Sequence, residues 1–524
     1  MTGTRSAFGR PADWLVLIIP ALAELIVGGY KIGVPSLWRD EAATISGSQR
    51  SLSAIFTMAG HQDAVHAPYY VLMHPVIAIG GTSATVLRLP SLVAMALAVA
   101  LTGALGRRLA QASGMPGPSV VGLLAGLALV AVPLTTRYAQ EARPYALATL
   151  FAVAASYAFV RALESPRWRW WVAYAAALLL AGLFNLFAVL LVVAHGVSLV
   201  WLARVNAVSS EQEGPPVTVT ASVAWRWIAA SAVAAVLLGP VIILSAGQSS
   251  QLSWVKRPTA GTLAALVRDF AGLTALIPVI ALVALAGCVA GLGAAGAKRP
   301  VLTAIALPWL VVPPVLLIAV SFIHPYYVER YVLFCLPALA VLVAAGLVWL
   351  VTLTRRALAG RGLRPRFADL LAAAPSAALA VIIVAVLIGP QREIRQVSSR
   401  ADDLKVVAAM VARHERPGDA VLYLPLDADA VGQAYPSAFR HLRDVGLGKS
   451  PLASGTLRGT PAPRQVVATR IGHVRRLWTV QWAHPLSKST AAPSRLTKLL
   501  SGLHLVARWR IQSVVLRLYA TSSR

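Results

Sequence analysis

Two adjacent acids, Asp40 and Glu41, follow the first apolar run of the chain, in Leu37-Trp38-Arg39-Asp40-Glu41. His61-Gln62-Asp63 and His66-Ala67-Pro68-Tyr69-Tyr70 continue the same stretch. A carboxylate beside an apolar segment loses hydration, so a chain keeps such a pair where solvent, a substrate or a cation satisfies it. Two bland readings stand beside this one: solvated loop acids, or acids that merely balance Arg39 or Arg88. Cations able to hold a phosphate recur in three later segments. These are Arg137-Tyr-Ala-Gln140-Glu141-Ala-Arg143-Pro144-Tyr145, Trp254-Val-Lys256-Arg257-Pro258, and His324-Pro-Tyr326-Tyr327-Val-Glu329-Arg330-Tyr331. Arg offers a two-pronged donor to phosphate oxygens and Lys a compact charge. His61, His66 and His74 match no zinc spacing and no Cys accompanies them, so no metal site is assigned.

The elements that must position these residues are membrane spans. Crossing the hydrocarbon core takes about 20 apolar residues. Such runs lie at 14–33, 84–106, 119–135, 145–163, 170–183, 184–203, 225–245, 273–293, 301–322, 330–353 and 368–389, about eleven spans. With the N-terminus inside, Arg107, Arg108, Arg161, Arg167, Arg169, Arg204, Arg226, Lys298 and Arg299 fall in cytoplasmic loops, as does the cluster from Arg355 to Arg366. The four chemically interesting segments then share the opposite face. The apolar run 68–80 is too short to cross and reads as an interfacial helix in the outer loop 34–83. Residues 205–222 carry no periodicity and are assigned no chemistry.

After residue 390 the pattern changes. Pro417-Gly418-Asp419 enters an apolar strand, further strands are expected at 476–482, 503–509 and 511–520, and helices near 401–414 and 495–502. The expected organisation is a membrane catalytic part, 1–390, and an extracytoplasmic α/β domain, 391–524.

Composition agrees with that plan. The chain is 57% hydrophobic and 13% charged, which suits a polytopic membrane protein rather than a soluble one. The net charge of +27 is spread over short loops and a tail rather than gathered into a binding motif, so nucleic acid is not an expected partner. Cys288 and Cys335 sit in apolar runs and imply no disulfide framework. No cleavage site follows Arg5 and Arg10, so the first run is taken as a retained span.

The ordered set Trp38-Arg-Asp-Glu41, His66-Ala-Pro-Tyr-Tyr70, Gly80-Gly-Thr-Ser83 and Leu87-Arg-Leu-Pro-Ser91 resembles the first outer loop of the polyprenyl-phosphate-sugar-dependent glycosyltransferases. These are membrane enzymes of the GT-C class, among them protein mannosyltransferases (family 39), aminoarabinose transferases and actinobacterial lipoglycan mannosyltransferases. The resemblance covers about residues 10–390. It implies a polytopic α-helical membrane protein of GT-C architecture that inverts a hexose, most plausibly mannose, on transfer. The donor would be a polyprenyl-phosphate sugar and the acceptor a glycolipid, glycan or protein hydroxyl outside the cytoplasm. Asp40 would be the base, with Glu41 orienting the acceptor or binding a divalent cation. His66, Arg137, Arg143, Lys256, Arg257 and Arg330 would hold the donor phosphate, and Tyr69, Gln140, Glu141, Trp254 and Tyr331 would contact substrate. No cofactor is required beyond that possible cation.

Two rivals remain. A lipid-linked-glycan flippase would place ionisable groups at mid-membrane on broken helices, whereas here they cluster at span ends. An O-antigen-type ligase or polymerase would not be expected to carry Asp-Glu directly after the first span.

Overall fold

The computed structural model describes residues 11–208, 217, 219–294, 300–359, 365–483 and 499–521. Sixteen helices build the first part. They are α1 (Pro11–Gly29), α2 (Arg39–Ser48), α3 (Leu52–His61), α4 (Ala67–Gly80), α5 (Ala84–Ala112), α6 (Pro118–Ala131), α7 (Pro133–Ala139) and α8 (Tyr145–Glu164). The rest are α9 (Trp168–Phe184), α10 (Leu190–Val208), α11 (Ala221–Gly247), α12 (Ala260–Ala271), α13 (Ile277–Val289), α14 (Val301–Ser321), α15 (Leu336–Ala359) and α16 (Pro365–Glu393).

Among the described residues, eight helices are long and apolar enough to cross a membrane, or nine if α6 and α7, bent by 70°, count as one span. The apolar stretches of α1 and α9, Trp14–Gly29 and Trp168–Phe184, are shorter than the expected eleven spans required. Every expected apolar run nonetheless forms a helix. The exposed faces of α11 and α16 are rich in Val, Ile and Leu, as a lipid-facing surface must be where no protein neighbour covers it.

Two breaks in the helices matter for the site. Val132 is extended ahead of Pro133, because a proline disfavours the helical conformation of the residue before it. The resulting elbow ends in a turn at 140–144, and α8 restarts at Tyr145 behind Pro144. The second break divides the run 170–203 at Asn185, whose backbone is extended and whose side chain accepts the Phe187 N–H. Its amide also donates to the Tyr331 carbonyl at 2.8 Å, tying this break to the start of α15.

The C-terminal part is an α/β fold. Its strands are β1 (Ala420–Leu424), β2 (Arg443–Asp444), β3 (Leu447–Lys449), β4 (Thr460–Pro461), β5 (Arg476–Trp482), β6 (His504–Ile511) and β7 (Val514–Ala520), and a helix, α17 (Leu404–His414), precedes them. A five-stranded sheet runs β2-β1-β5-β7-β6, and β3 pairs with β4. β1 is parallel to both neighbours and almost wholly buried, which explains its continuous apolar sequence. The first half of the helix expected over 495–502 lies outside the described residues.

This domain sits on the acidic loop. The Arg39 guanidinium donates to both Asp402 oxygens, at 2.7 and 2.6 Å, and stacks 4.0 Å from the Trp482 ring centroid. Tyr435 accepts the Leu37 N–H at 2.9 Å, and Ser36 accepts the Lys405 N–H at 2.9 Å. Loop and domain therefore occupy the same end of the helix bundle.

Candidate active site

A cavity of about 430 Å³ opens where α2, the elbow, the Asn185 break, the end of α11 and the start of α15 converge under the C-terminal domain. The extended Trp38 starts α2, so Asp40 and Glu41 both fall in its first turn. Successive helical residues point about 100° apart, and the two acids part company.

Asp40 faces the cavity, its carboxylate 22% exposed and 3.5 Å from Arg330 Nη2. Glu41 faces inward and is sealed. Arg88 of α5 grips both of its oxygens at 2.8 Å, and the Ala142 N–H donates to one of them at 2.9 Å. Arg88 also donates to the carbonyls of Ile32, Pro35 and Ser36, so the pair clamps the α1–α2 link, α2, α5 and the elbow together. Burial by itself would raise the Glu41 carboxyl, but the Arg88 pair outweighs it and holds the group below its ordinary value. Glu41 was expected to meet the acceptor or a cation; in the structure its two oxygens accept from Arg88 and the Ala142 N–H.

Arg143 comes from the elbow and is buried. It donates to the Asp40 carbonyl at 3.3 Å and approaches His66 Nε2 at 2.5 Å. Since a guanidinium can only donate, His66 Nε2 is the acceptor of that contact, which leaves Nδ1 to carry the ring proton. That proton goes to Asp63 Oδ1 at 2.6 Å, while the Tyr70 hydroxyl donates to Asp63 Oδ2. Burial acts to raise the Asp63 carboxyl, but His66, Arg143 and Tyr70 together hold it below its ordinary value. Asp63 adopts a left-handed backbone, φ 61°, pinned because Gln251 accepts its N–H and Gln248 that of Ala64.

This chain of contacts makes Asp63 a positioning residue. Asp63→Ala is expected to free His66 and let Arg143 drift, lowering turnover on the order of 10²-fold while the protein stays folded. Asp63→Asn, which keeps an acceptor for His66, is expected to retain most of the activity; equal loss in both would refute the positioning role. Because the Asp63 carboxyl is held low, the network should be intact above the ordinary carboxylate range. It should fail only as pH falls through that lowered value, so turnover should show no Asp63-linked loss between pH 5 and 8.

Arg330 stands in a cage of aromatic rings. Its guanidinium lies 5.7–5.9 Å from the ring centroids of Trp38, Tyr145, Trp254 and Tyr331, and its Nε donates to the Tyr145 hydroxyl at 3.0 Å. The faces of these rings hold the cation without neutralising it.

Of the residues singled out from sequence, Asp40, His66, Arg143, Trp254, Arg330 and Tyr331 line one cavity. The others lie elsewhere. Tyr69, Gln140 and Glu141 are buried, Gln140 donating to the Gly28 and Tyr30 carbonyls. Glu141 faces Arg137 at 3.2 Å, and burial raises its carboxyl. Arg137 lines a separate groove with Asp269 and Glu393, its guanidinium 5.8 Å from the Trp38 ring centroid. Lys256 and Arg257 are exposed beyond Trp254 and do not line the cavity. These residues, expected to contact donor or substrate, do not line this cavity: the elbow faces inward, and the loop after Trp254 turns to solvent.

Sequence reasoning missed Asp63, Tyr145, Gln248 and Arg458, which also line the cavity. Asp63 and Tyr145 lay inside quoted motifs; nothing local marked Gln248 or Arg458. Among the described residues no three His, Cys, Asp or Glu side chains gather as a metal site. Glu41 is bound to Arg88, and Asp63 to His66 and Tyr70.

Comparison with known proteins gives the fold. The family model described as dolichyl-phosphate-mannose-protein mannosyltransferase matches residues 66–243. No curated protein sequence matches. The structure of ArnT from Cupriavidus metallidurans in the apo state aligns with TM-score 0.54 at 15% identity, covering 96% of this chain and 97% of that one. ArnT bound to undecaprenyl phosphate aligns with TM-score 0.55 at 16% identity, covering 97% and 98%. The apo oligosaccharyltransferase of Archaeoglobus fulgidus aligns with TM-score 0.52 at 11% identity, covering 88% of this chain and 69% of that one. The helices and the C-terminal domain of small sheets are arranged here as the GT-C architecture.

Proposed function

We propose, from a chain with the GT-C glycosyltransferase fold, an integral membrane enzyme that transfers a hexose from a polyprenyl-phosphate donor to a hydroxyl acceptor. Mannose is the first candidate sugar, by the description of the matching family model. The carrier lipid is read from an ArnT of the same fold that binds undecaprenyl phosphate. The acceptor is a glycolipid, glycan or protein outside the cytoplasm. The N-terminus lies inside, and the C-terminal domain with the cavity lies outside.

One observation carries the reading. Asp40 meets two guanidiniums in one cavity: its carboxylate faces Arg330, and its backbone carbonyl accepts from Arg143. Asp40 takes the proton from the acceptor hydroxyl. The oxygen attacks the anomeric carbon from the face opposite the phosphate, and the sugar–phosphate bond breaks with its electron pair leaving on phosphate oxygen. Arg143 and Arg330 stabilise that charge as it develops. In the resting site Arg330 holds Asp40, and an arriving phosphate competes for the guanidinium, which frees the carboxylate to act as base.

The test is transfer of labelled mannose from polyprenyl-phosphate-mannose in right-side-out vesicles with acceptor supplied outside. Wild type is expected to label a lipid, glycan or protein fraction. Arg330→Ala should raise the donor KM about 10- to 100-fold, and Arg330→Lys by less, since it keeps the charge and loses the fork. Unchanged donor kinetics in both variants would remove Arg330 from the site. No transfer from any polyprenyl-phosphate sugar would sink the reading.

A further inference from the structure

The roof of the cavity comes from the C-terminal domain. Leu457 and Arg458 line it, carried on a turn between Gly455 and Gly459, both with positive φ. That turn is latched to the acidic loop. Ser46 of α2 donates to the Leu457 carbonyl at 2.6 Å, Arg50 donates to the Thr456 carbonyl at 2.5 Å, and Gln62 accepts the Leu457 N–H at 3.2 Å. The turn is therefore held on both α2 and the end of α3, beside Asp40 and Asp63.

Arg458 is placed to do more than hold the turn. Its Nη1 donates to the Asp427 carbonyl and lies 3.6 Å from Asp429, while Nε and Nη2 make no hydrogen bond to protein among the described residues. Asp429 is a weak counter-charge. Burial pushes its carboxyl up to about 7; Arg458 opposes this, and Asp444 and Asp427 add to it. The cavity walls carry three guanidiniums, Arg143, Arg330 and Arg458, against two carboxylates, Asp40 and Asp63. Among the residues that line the cavity, guanidiniums outnumber carboxylates by one.

We infer that Arg458 is a substrate-binding residue that the C-terminal domain supplies to the membrane-embedded site, contacting a phosphate or carboxylate group of the bound substrates. This rests on the transferase reading above. The anion has two possible sources, the phosphate of the donor lipid or an acidic group on the acceptor.

The experiment uses the full chain in nanodiscs, comparing wild type, Arg458→Gln and the double variant Arg458→Gln/Asp429→Asn. Undecaprenyl phosphate binding and the KM for the acceptor fraction that wild type labels are both measured. The double variant removes the buried acid along with its partner, so a purely structural loss should be repaired there. The expected result is a loss of about tenfold that persists in the double variant. A loss in undecaprenyl phosphate affinity assigns Arg458 to the donor phosphate; a rise in acceptor KM at unchanged lipid affinity assigns it to an acceptor anion. The inference is overturned if both variants match wild type in both measurements, or if the double variant recovers what the single one loses. A wild type that neither binds undecaprenyl phosphate nor transfers sugar fails one step earlier, and the transferase reading falls together with this one.

Discussion

Asp40→Asn is expected to lower sugar transfer by about 10³-fold or more, with thermal stability within roughly 0.5 kcal/mol of wild type. The amide is nearly isosteric and can still face Arg330, but it cannot take a proton. The Asp40 side chain is partly exposed at the cavity wall and takes no part in the buried side-chain bonding that holds α2, which runs through Glu41. Undecaprenyl phosphate binding should survive or strengthen, since the neutral side chain no longer competes for Arg330. Equal transfer by Asp40→Asn and wild type at matched expression would show that Asp40 is not the base.

The neighbouring acid should behave in the opposite way. Arg88→Met leaves Glu41 buried with a single backbone donor, and breaking such a pair costs about 3–5 kcal/mol. Against a net stability of about 5–15 kcal/mol, that loss should appear as poor yield and a large fall in unfolding temperature in detergent. The double variant Arg88→Met/Glu41→Gln should recover part of it. The pH dependence has a defined sign. The Glu41 carboxyl is held below its unfolded value, so its stabilisation is full above the ordinary carboxylate range and is lost as pH falls through the lowered folded value. In the double variant that acid-side loss should shrink. An Arg88→Met protein as stable as wild type would refute the clamp.

The contrast between these acids shows how far local pattern reaches. Asp40 and Glu41 are indistinguishable in sequence, and the motif that contains them marks the loop, not the role. Which one faces the cavity follows from where α2 begins, since one residue of helix turns a side chain by about 100°. The elbow shows the same limit from another direction. Arg137, Gln140, Glu141 and Arg143 share one motif, yet only Arg143 reaches the cavity, because Pro133 and the turn at 140–144 fold the segment back on itself.

By itself the sequence determined the run of apolar helices, the grouping of four reactive segments and the α/β character of the tail. Hydropathy, proline position and strand composition act over a few residues and need no partner. Only the tertiary structure decided that Asp63 holds His66 against Arg143, that Glu41 is a clamp, and that Arg458 roofs the cavity. Each of those depends on side chains brought together from distant parts of the chain, where burial and hydrogen-bond partners, not residue type, set the role.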